Sequence, residues 1–342
     1  MKKISRILSL CLIIIMLTNA LAFGEINVNE YIKGAILGDL ETGEVLYEFN
    51  TNEQLAIASI TKLMTYLIMK EAMASGSMTM DDEVVISGHA ALTDGSRFGL
   101  KTGETVKLSM LTKGMLIVSG NDCATAIAEY VGKTEQNFVK LMNEKAAELG
   151  LMSASFVNPT GLPINDEETG QNHMSISDIY KLSRYILSKY PETLEITSQK
   201  ELVVPERKFS KASTNPMYGV MEGIDGLKTG YTDKSGLCLV STMPVTGSGQ
   251  DFRLIAIVMG AQSHEDRINK TKELLEYGRD NFSFQHLTDK SVAIDSVYIS
   301  SSKKGKVDVY PSADFNKVVK SDDVIKTEIK YNDKVSAPIA KG

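Results

Sequence analysis

Ile60, Leu63, Met64, Leu67 and Ile68 recur at i, i+3, i+4, i+7 and i+8, a spacing that puts all five on one face of an α-helix and requires a core to cover it. Ser59 stands at or near the start of that helix. Just upstream the pattern is different. Residues 34–49 carry two apolar runs around a polar turn at Glu41-Thr42-Gly43, which reads as a hairpin. A strand pair running into a buried helix sets the start of a mixed fold.

The rest of the chain extends this pattern. Residues 108–131 read as two helices broken at Ser119-Gly120, the first lined by Leu111, Met115 and Leu116, the second by Ala126, Ile127 and Tyr130. A third helix is expected over about 135–149, with Gly150 as its stop. Ser175-Ile176-Ser177-Asp178 opens another, reaching about Leu187. Strand-like runs follow at 237–243 and 253–260, then a helix over about 266–277. From residue 284, short β-type runs (Val292, Ile294, Val297 and Ile299; Val307 and Val309; Val324, Ile325 and Ile329) alternate with polar turns. The order predicts an α+β domain over 23–283, with helices against an antiparallel sheet, and a small all-β domain over 284–342.

The first 22 residues read as an export signal. Lys2, Lys3 and Arg6 precede the apolar run Ile7 to Leu17, and Ala20-Leu21-Ala22 fits a cleavage site, with the cut expected after Ala22. The run is short for a membrane span. Cleavage removes three positive charges, taking the formal net charge from -6 to -6 - 3 = -9. No basic stripe favours nucleic acid. The exported chain keeps Cys123 and Cys238, too few for a disulfide framework and expected as buried free thiols. His89, His173, His264 and His286 lack metal-ligand spacing, so no metal and no other cofactor is expected. No amphipathic helix is legible near the end, so membrane attachment through one is not expected.

Three short motifs carry chemistry: Ser59-Ile60-Thr61-Lys62, Ser119-Gly120-Asn121 and Lys228-Thr229-Gly230. A serine hydroxyl needs a base beside it, and a lysine three residues on shares its helix face. Burial and neighbouring positive charge would make that lysine neutral enough to serve. A serine at a helix start also brings its own N–H close to a forming oxyanion. Ser119 offers a hydroxyl to relay a proton, and Asn121 an amide to hold the lysine and a substrate carbonyl. Lys228 and Thr229 on a strand edge would bind a carboxylate, and Gly230 would let a substrate backbone approach closely. Each motif is weak alone. Ser300–Lys303, Ser301–Lys304 and Lys101-Thr102-Gly103 match the same patterns in polar turns, the last read as a turn before a helix.

Order, spacing and flanks together resemble the serine-type D-alanyl-D-alanine carboxypeptidases, the low-molecular-mass penicillin-binding proteins. The likeness covers roughly Tyr31 to Phe282 and continues weakly beyond, where the resemblance implies a β-rich second domain that this sequence ends midway through. It is carried by Asp39 to Asn50, by Ala58-Ser59-Ile60-Thr61-Lys62-Leu63-Met64-Thr65, by Ser119-Gly120-Asn121-Asp122 and by Asp225-Gly226-Leu227-Lys228-Thr229-Gly230. The resemblance implies a penicillin-binding/β-lactamase-like catalytic domain on the cell-wall side of the cytoplasmic membrane. It would act on peptidoglycan stem peptides ending in D-Ala-D-Ala and be inhibited covalently by β-lactams. Ser59 would form the acyl-enzyme, Lys62 would be the base, Ser119 would shuttle the proton, and Asn121 would orient Lys62 and the peptide. Lys228 and Thr229 would bind the terminal carboxylate with support from Arg267. The N–H groups of Ser59 and Tyr231 would form the oxyanion hole. Tyr231 stands where several relatives carry histidine. A D,D-endopeptidase would use the same residues, and an inactive penicillin-binding sensor would keep their arrangement. A class A β-lactamase would need a deacylating glutamate, and Ser153 to Gly161 contains no Glu-x-x-x-Asn.

Overall fold

The chain's computed structural model describes residues 26–164, 170–246, 250–298, 305–326 and 328–329. The expected export signal, the Ser300 and Ser301 decoys and residues 330–342 lie outside the described residues.

Strands β1 (Gly34–Asp39), β2 (Val45–Phe49), β3 (Gly226–Thr232), β4 (Gly236–Val245) and β5 (Phe252–Ala261) form one antiparallel sheet in the order β2-β1-β5-β4-β3. The expected hairpin is β1–β2, and β3 is an edge strand. The sheet is covered on both faces, and the alternation of side chains says by what. Ile36, Val240, Ile255, Ile257 and Met259 join the core of the helical block. Ala35, Leu37, Leu239, Leu254, Ala256 and Val258 join a second core with Leu274 and Leu275.

Helix α1 (Lys62–Ala74) runs through the first core. The sequence suggests a single apolar face, yet Tyr66 and Met69 are also fully buried, so the helix is enclosed on all sides over its first two turns. Around it stand α2 (Leu108–Ile117), α3 (Asn121–Gly132), α4 (Glu135–Glu148) and α5 (Ile176–Lys189). The Ser175 hydroxyl caps α5 by accepting from Asp178 N, as its sequence suggests. Helix α6 (His264–Asn281) covers the other face and is longer at both ends than expected, with Ser263 as its N-cap.

Two expectations are corrected. Lys101-Thr102-Gly103 turns into a short strand, Thr105–Lys107, paired with Glu83–Val85, before the helix begins. In the β-rich region, Val324 to Lys326 form no strand, whereas β6 (Phe282–Thr288) pairs with β7 (Phe315–Lys320). Phe282, Phe284 and Val318 pack into the second core, so β6 leaves α6 without a linker and buries its apolar residues against the main sheet.

Candidate active site

Ser59 sits in a 3-10 turn, Ala58–Thr61, that leads directly into α1. Lys62, the first residue of α1, is 0% exposed. Its Nζ lies 2.7 Å from Ser59 Oγ, 2.7 Å from Asn121 Oδ1 and 2.7 Å from the Thr160 carbonyl oxygen. Burial, and after it the Lys228 charge, hold this lysine well below the ordinary range, with Asp122 opposing. A neutral amine has two N–H groups and one lone pair. Asn121 and Thr160 can accept the two N–H groups, which leaves the lone pair for the Ser59 hydroxyl.

Ser119 occupies the break between α2 and α3 in a left-handed conformation, φ 60. For a serine such a backbone costs roughly 1–3 kcal/mol, a strain typical of functional sites. Lys228, 1% exposed, donates from Nζ to Ser119 Oγ at 2.9 Å and to its neighbour's carbonyl, Thr229 O, at 2.8 Å. Burial, then the Arg267 charge, bring Lys228 down to about 7. Asn121 starts α3 and donates from Nδ2 to Asp94 O at 2.6 Å, which fixes its amide with Oδ1 towards Lys62. Next to it, the buried Asp122 carboxylate accepts the backbone N–H of Phe98, Gly99, Leu100 and Cys123 at 2.8–3.1 Å.

The three motifs open onto one cleft of about 1000 Å³. Ser59, Ser119, Asn121, Thr229, Gly230, Tyr231 and Arg267 line it. Thr229 donates from Oγ1 to Thr214 Oγ1 at 2.8 Å, and Thr214 also lines the cleft. The Tyr231 side chain is 60% exposed at the mouth and donates its hydroxyl to Asp233. Arg267, in the first turn of α6, is only 6% exposed, and its Nε has no partner. An arginine at a helix start is ordinarily solvated, so this one is built in rather than incidental. Its burial lowers its pKa from the usual arginine value. Cys123 and Cys238 are buried free thiols. Among the described residues no His/Cys/Asp/Glu cluster suits a metal ion, and no helix is long and apolar enough to cross a membrane.

Sequence reasoning missed the loop from Val157 to Leu162. Asn158 Oδ1 accepts from Thr160 N, Thr160 Oγ1 and Gly161 N at 2.7–3.0 Å, shaping the turn that points Thr160 O at Lys62. Asn172 holds the loop to the nucleophile turn, donating from Nδ2 to Thr61 Oγ1 and Asn158 O and accepting at Oδ1 from Val157 N. Gly161 and Gly230 both lie against the Ser59 backbone nitrogen: a Cβ on them would fall 2.9 and 3.2 Å from it. Asn-Pro-Thr-Gly at 158–161 is a turn signal in the sequence, but nothing in it says what the turn touches.

A family model described as D-alanyl-D-alanine carboxypeptidase matches residues 27–263. The chain is 35% identical over 316 residues to D-alanyl-D-alanine carboxypeptidase DacF of Bacillus subtilis, covering 91% of this chain and 79% of that protein. Its structure is similar to penicillin binding protein 5 from Haemophilus influenzae, with a TM-score of 0.80, 27% identity, and 93% and 92% of the two chains covered. It is also similar to a penicillin-binding protein from Listeria monocytogenes solved in its cefotaxime-bound form, with a TM-score of 0.65, 30% identity, and 74% and 98% covered.

Proposed function

The chain belongs to the D-alanyl-D-alanine carboxypeptidase family, a group of serine peptidases that act on peptidoglycan outside the cytoplasm, and from that premise we propose how its own residues carry the reaction. Ser59 Oγ attacks the carbonyl carbon of the penultimate D-alanine while its proton passes to Lys62 Nζ. The N–H groups of Ser59 and Tyr231 receive the oxyanion. Ser119 relays the proton from Lys62 to the leaving nitrogen, the peptide bond breaks, and D-alanine departs. Water then hydrolyses the Ser59 ester, with Lys62 taking the proton and returning it to Ser59. Lys228, Thr229 and Arg267 hold the terminal carboxylate, and Asn121 holds Lys62 and the peptide.

The observation that carries this reading is the environment of Lys62: fully buried, beside Ser59, with acceptors for both N–H groups of a neutral amine. Arg267 adds support through a buried Nε that lacks a partner beside Thr229 and Thr214 in the cleft. The cefotaxime-bound relative extends the reading to inhibition by β-lactams, whose ring carbonyl would acylate the same oxygen as the ring C–N bond opens. Export by the residue 1–22 signal belongs to this reading, as does a β-rich second unit, with β6 (Phe282–Thr288) running across the expected 283/284 boundary.

The test is labelling of purified protein by a fluorescent penicillin, together with D-alanine release from a pentapeptide. Wild type should show both and Ser59→Ala neither. Labelling of Ser59→Ala at the wild-type rate would place the nucleophile elsewhere.

A further inference from the structure

The chain as a whole is acidic, at -6, but among the described residues the cleft lining holds no carboxylate. Its charged side chains are Arg97, Lys211 and Arg267, with His264 beside them. The buried Lys228 and Arg267 already match one carboxylate at the end of a peptide. Arg97 and Lys211 are left over, both exposed at the mouth. They come from different segments. Arg97 immediately precedes the Phe98 to Leu100 segment that Asp122 pins down, and its guanidinium donates to Ala91 O. Lys211 lies on the hairpin Glu201–Val204/Phe209–Ala212, two residues from Phe209 and so on the same strand face.

A specific clamp joins those segments. Phe98 and Phe209 meet edge to face with centroids 4.8 Å apart. Arg207 reaches across to Glu104 with N–O distances of 2.8 and 3.0 Å, and to Gly99 O at 2.9 Å. The clamp therefore turns two like charges onto one cleft, whose lining among the described residues includes no carboxylate. On the other wall, Asp233 accepts from Tyr231 and Asp266 from Ser263. A cleft lined by one sign of charge in a protein of the other sign concentrates ligands of opposite charge.

We propose that Arg97 and Lys211 form a second anion subsite, which takes a carboxylate carried by the stem peptide upstream of the scissile D-Ala-D-Ala bond. This inference rests on the hydrolytic reading above. Two stem positions can supply the group: the α-carboxylate of a γ-linked glutamate at the second residue, or the side-chain carboxylate of a diamino diacid at the third. The subsite selects substrates by charge and has no part in bond breaking.

The experiment measures kcat/KM for D-alanine release from three pentapeptides: one with both carboxylates free, one amidated at the second residue, one amidated at the third. Amidation at the recognised position should lower kcat/KM about three- to tenfold in wild type, the range expected for one or two exposed charge pairs, and less at high salt. The position that responds identifies the source. In Arg97→Ala/Lys211→Ala the three peptides should converge, and Lys211→Glu should favour the amide, while fluorescent penicillin shows whether the nucleophile is intact. Equal rates on all three peptides in wild type, or the same discrimination in the double variant, overturn the subsite alone. No D-alanine release from any peptide overturns the hydrolytic reading as well.

Discussion

Lys228 Nζ donates to Ser119 Oγ at 2.9 Å, tying the edge strand β3 to the break between α2 and α3. After burial, the charge of the same lysine is what lowers Lys62. Two buried lysines thus each hold one serine hydroxyl, Lys62 at Ser59 and Lys228 at Ser119, and the proposed chemistry asks opposite charges of them.

Their titrations give the first prediction. A base works neutral, whereas a carboxylate anchor works charged. Burial and then Lys228 hold Lys62 far below the ordinary lysine range, so kcat/KM should rise as Lys62 loses its proton. It should fall as Lys228 loses its own, with a limb near about 7 in the free enzyme. A bound carboxylate favours charged Lys228, so the falling limb of kcat should lie at higher pH than that of kcat/KM. Coincident limbs would contradict the assignment. For stability the sign is fixed by the depressed folded value: between about 7 and 10.5 the unfolded chain holds the extra proton. The contribution of Lys228 to stability therefore grows as pH rises through that window.

Asn158 should govern Lys62 from a distance. Asn158→Ala strips three donors of their acceptor and releases Thr160 O. Acylation by penicillin should slow by roughly 10- to 100-fold, the scale of a displaced catalytic group. The melting temperature should drop with about 1–3 kcal/mol of lost stability for a buried unsatisfied group. Asn158→Asp keeps the acceptors but loses the donation to Leu162 O. Its added negative charge favours protonated Lys62, so the rising limb of the pH profile should move to higher pH. A profile unchanged in Asn158→Asp would break the link between loop and lysine.

Gly161 tests close approach. At φ +85 its Cβ would sit 1.9 Å from Ala58 O, a clash that only backbone movement can relieve. Gly161→Ala should lose penicillin labelling and melt well below wild type. Gly76→Ala, at φ +78 with open space around it, should cost only the left-handed penalty of about 1–2 kcal/mol and keep full labelling. Comparable losses in both variants would mean that the backbone angle, not contact with the nucleophile turn, is decisive.

Hydrolysis of a penicilloyl ester should be slow. Among the described residues no carboxylate lines the cleft, and the Val157 to Leu162 loop presents a backbone carbonyl to Lys62. A chromogenic cephalosporin should give a burst of about one equivalent and then a slow steady rate, as expected for an accumulating acyl-enzyme. Sustained rapid turnover would require another base.

Much of this arrangement is legible in the sequence, and the exceptions have a common cause. The spacing of Ile60, Leu63, Met64, Leu67 and Ile68 reveals α1, because periodicity is a local property. It also places Ser59 and Lys62 on one side, a relation that survives although Ser59 stands in a 3-10 turn. The burial of Tyr66 and Met69 is invisible locally, since it depends on which elements surround the helix. Thr160 was missed because its contribution is a carbonyl oxygen, which every residue has. Arg267 stands out in the sequence only through the family resemblance, because its burial depends on α6 lying against the cleft. The β6 strand hides behind a helix that runs straight into it, so no turn residues announce its start.

Asp122 has one more consequence. Its carboxylate gathers backbone N–H groups from the Phe98 to Leu100 loop while sitting one residue after Asn121. The wall that carries Arg97 and the helix start that aims the Asn121 amide are therefore one mechanical piece. Moving the backbone of that wall would reach the Asn121 amide at the bottom, whereas changing the Arg97 side chain alone would not. The hairpin bearing Lys211 carries none of the three motifs, which makes it the wall on which the choice of peptide can drift while the reaction stays the same.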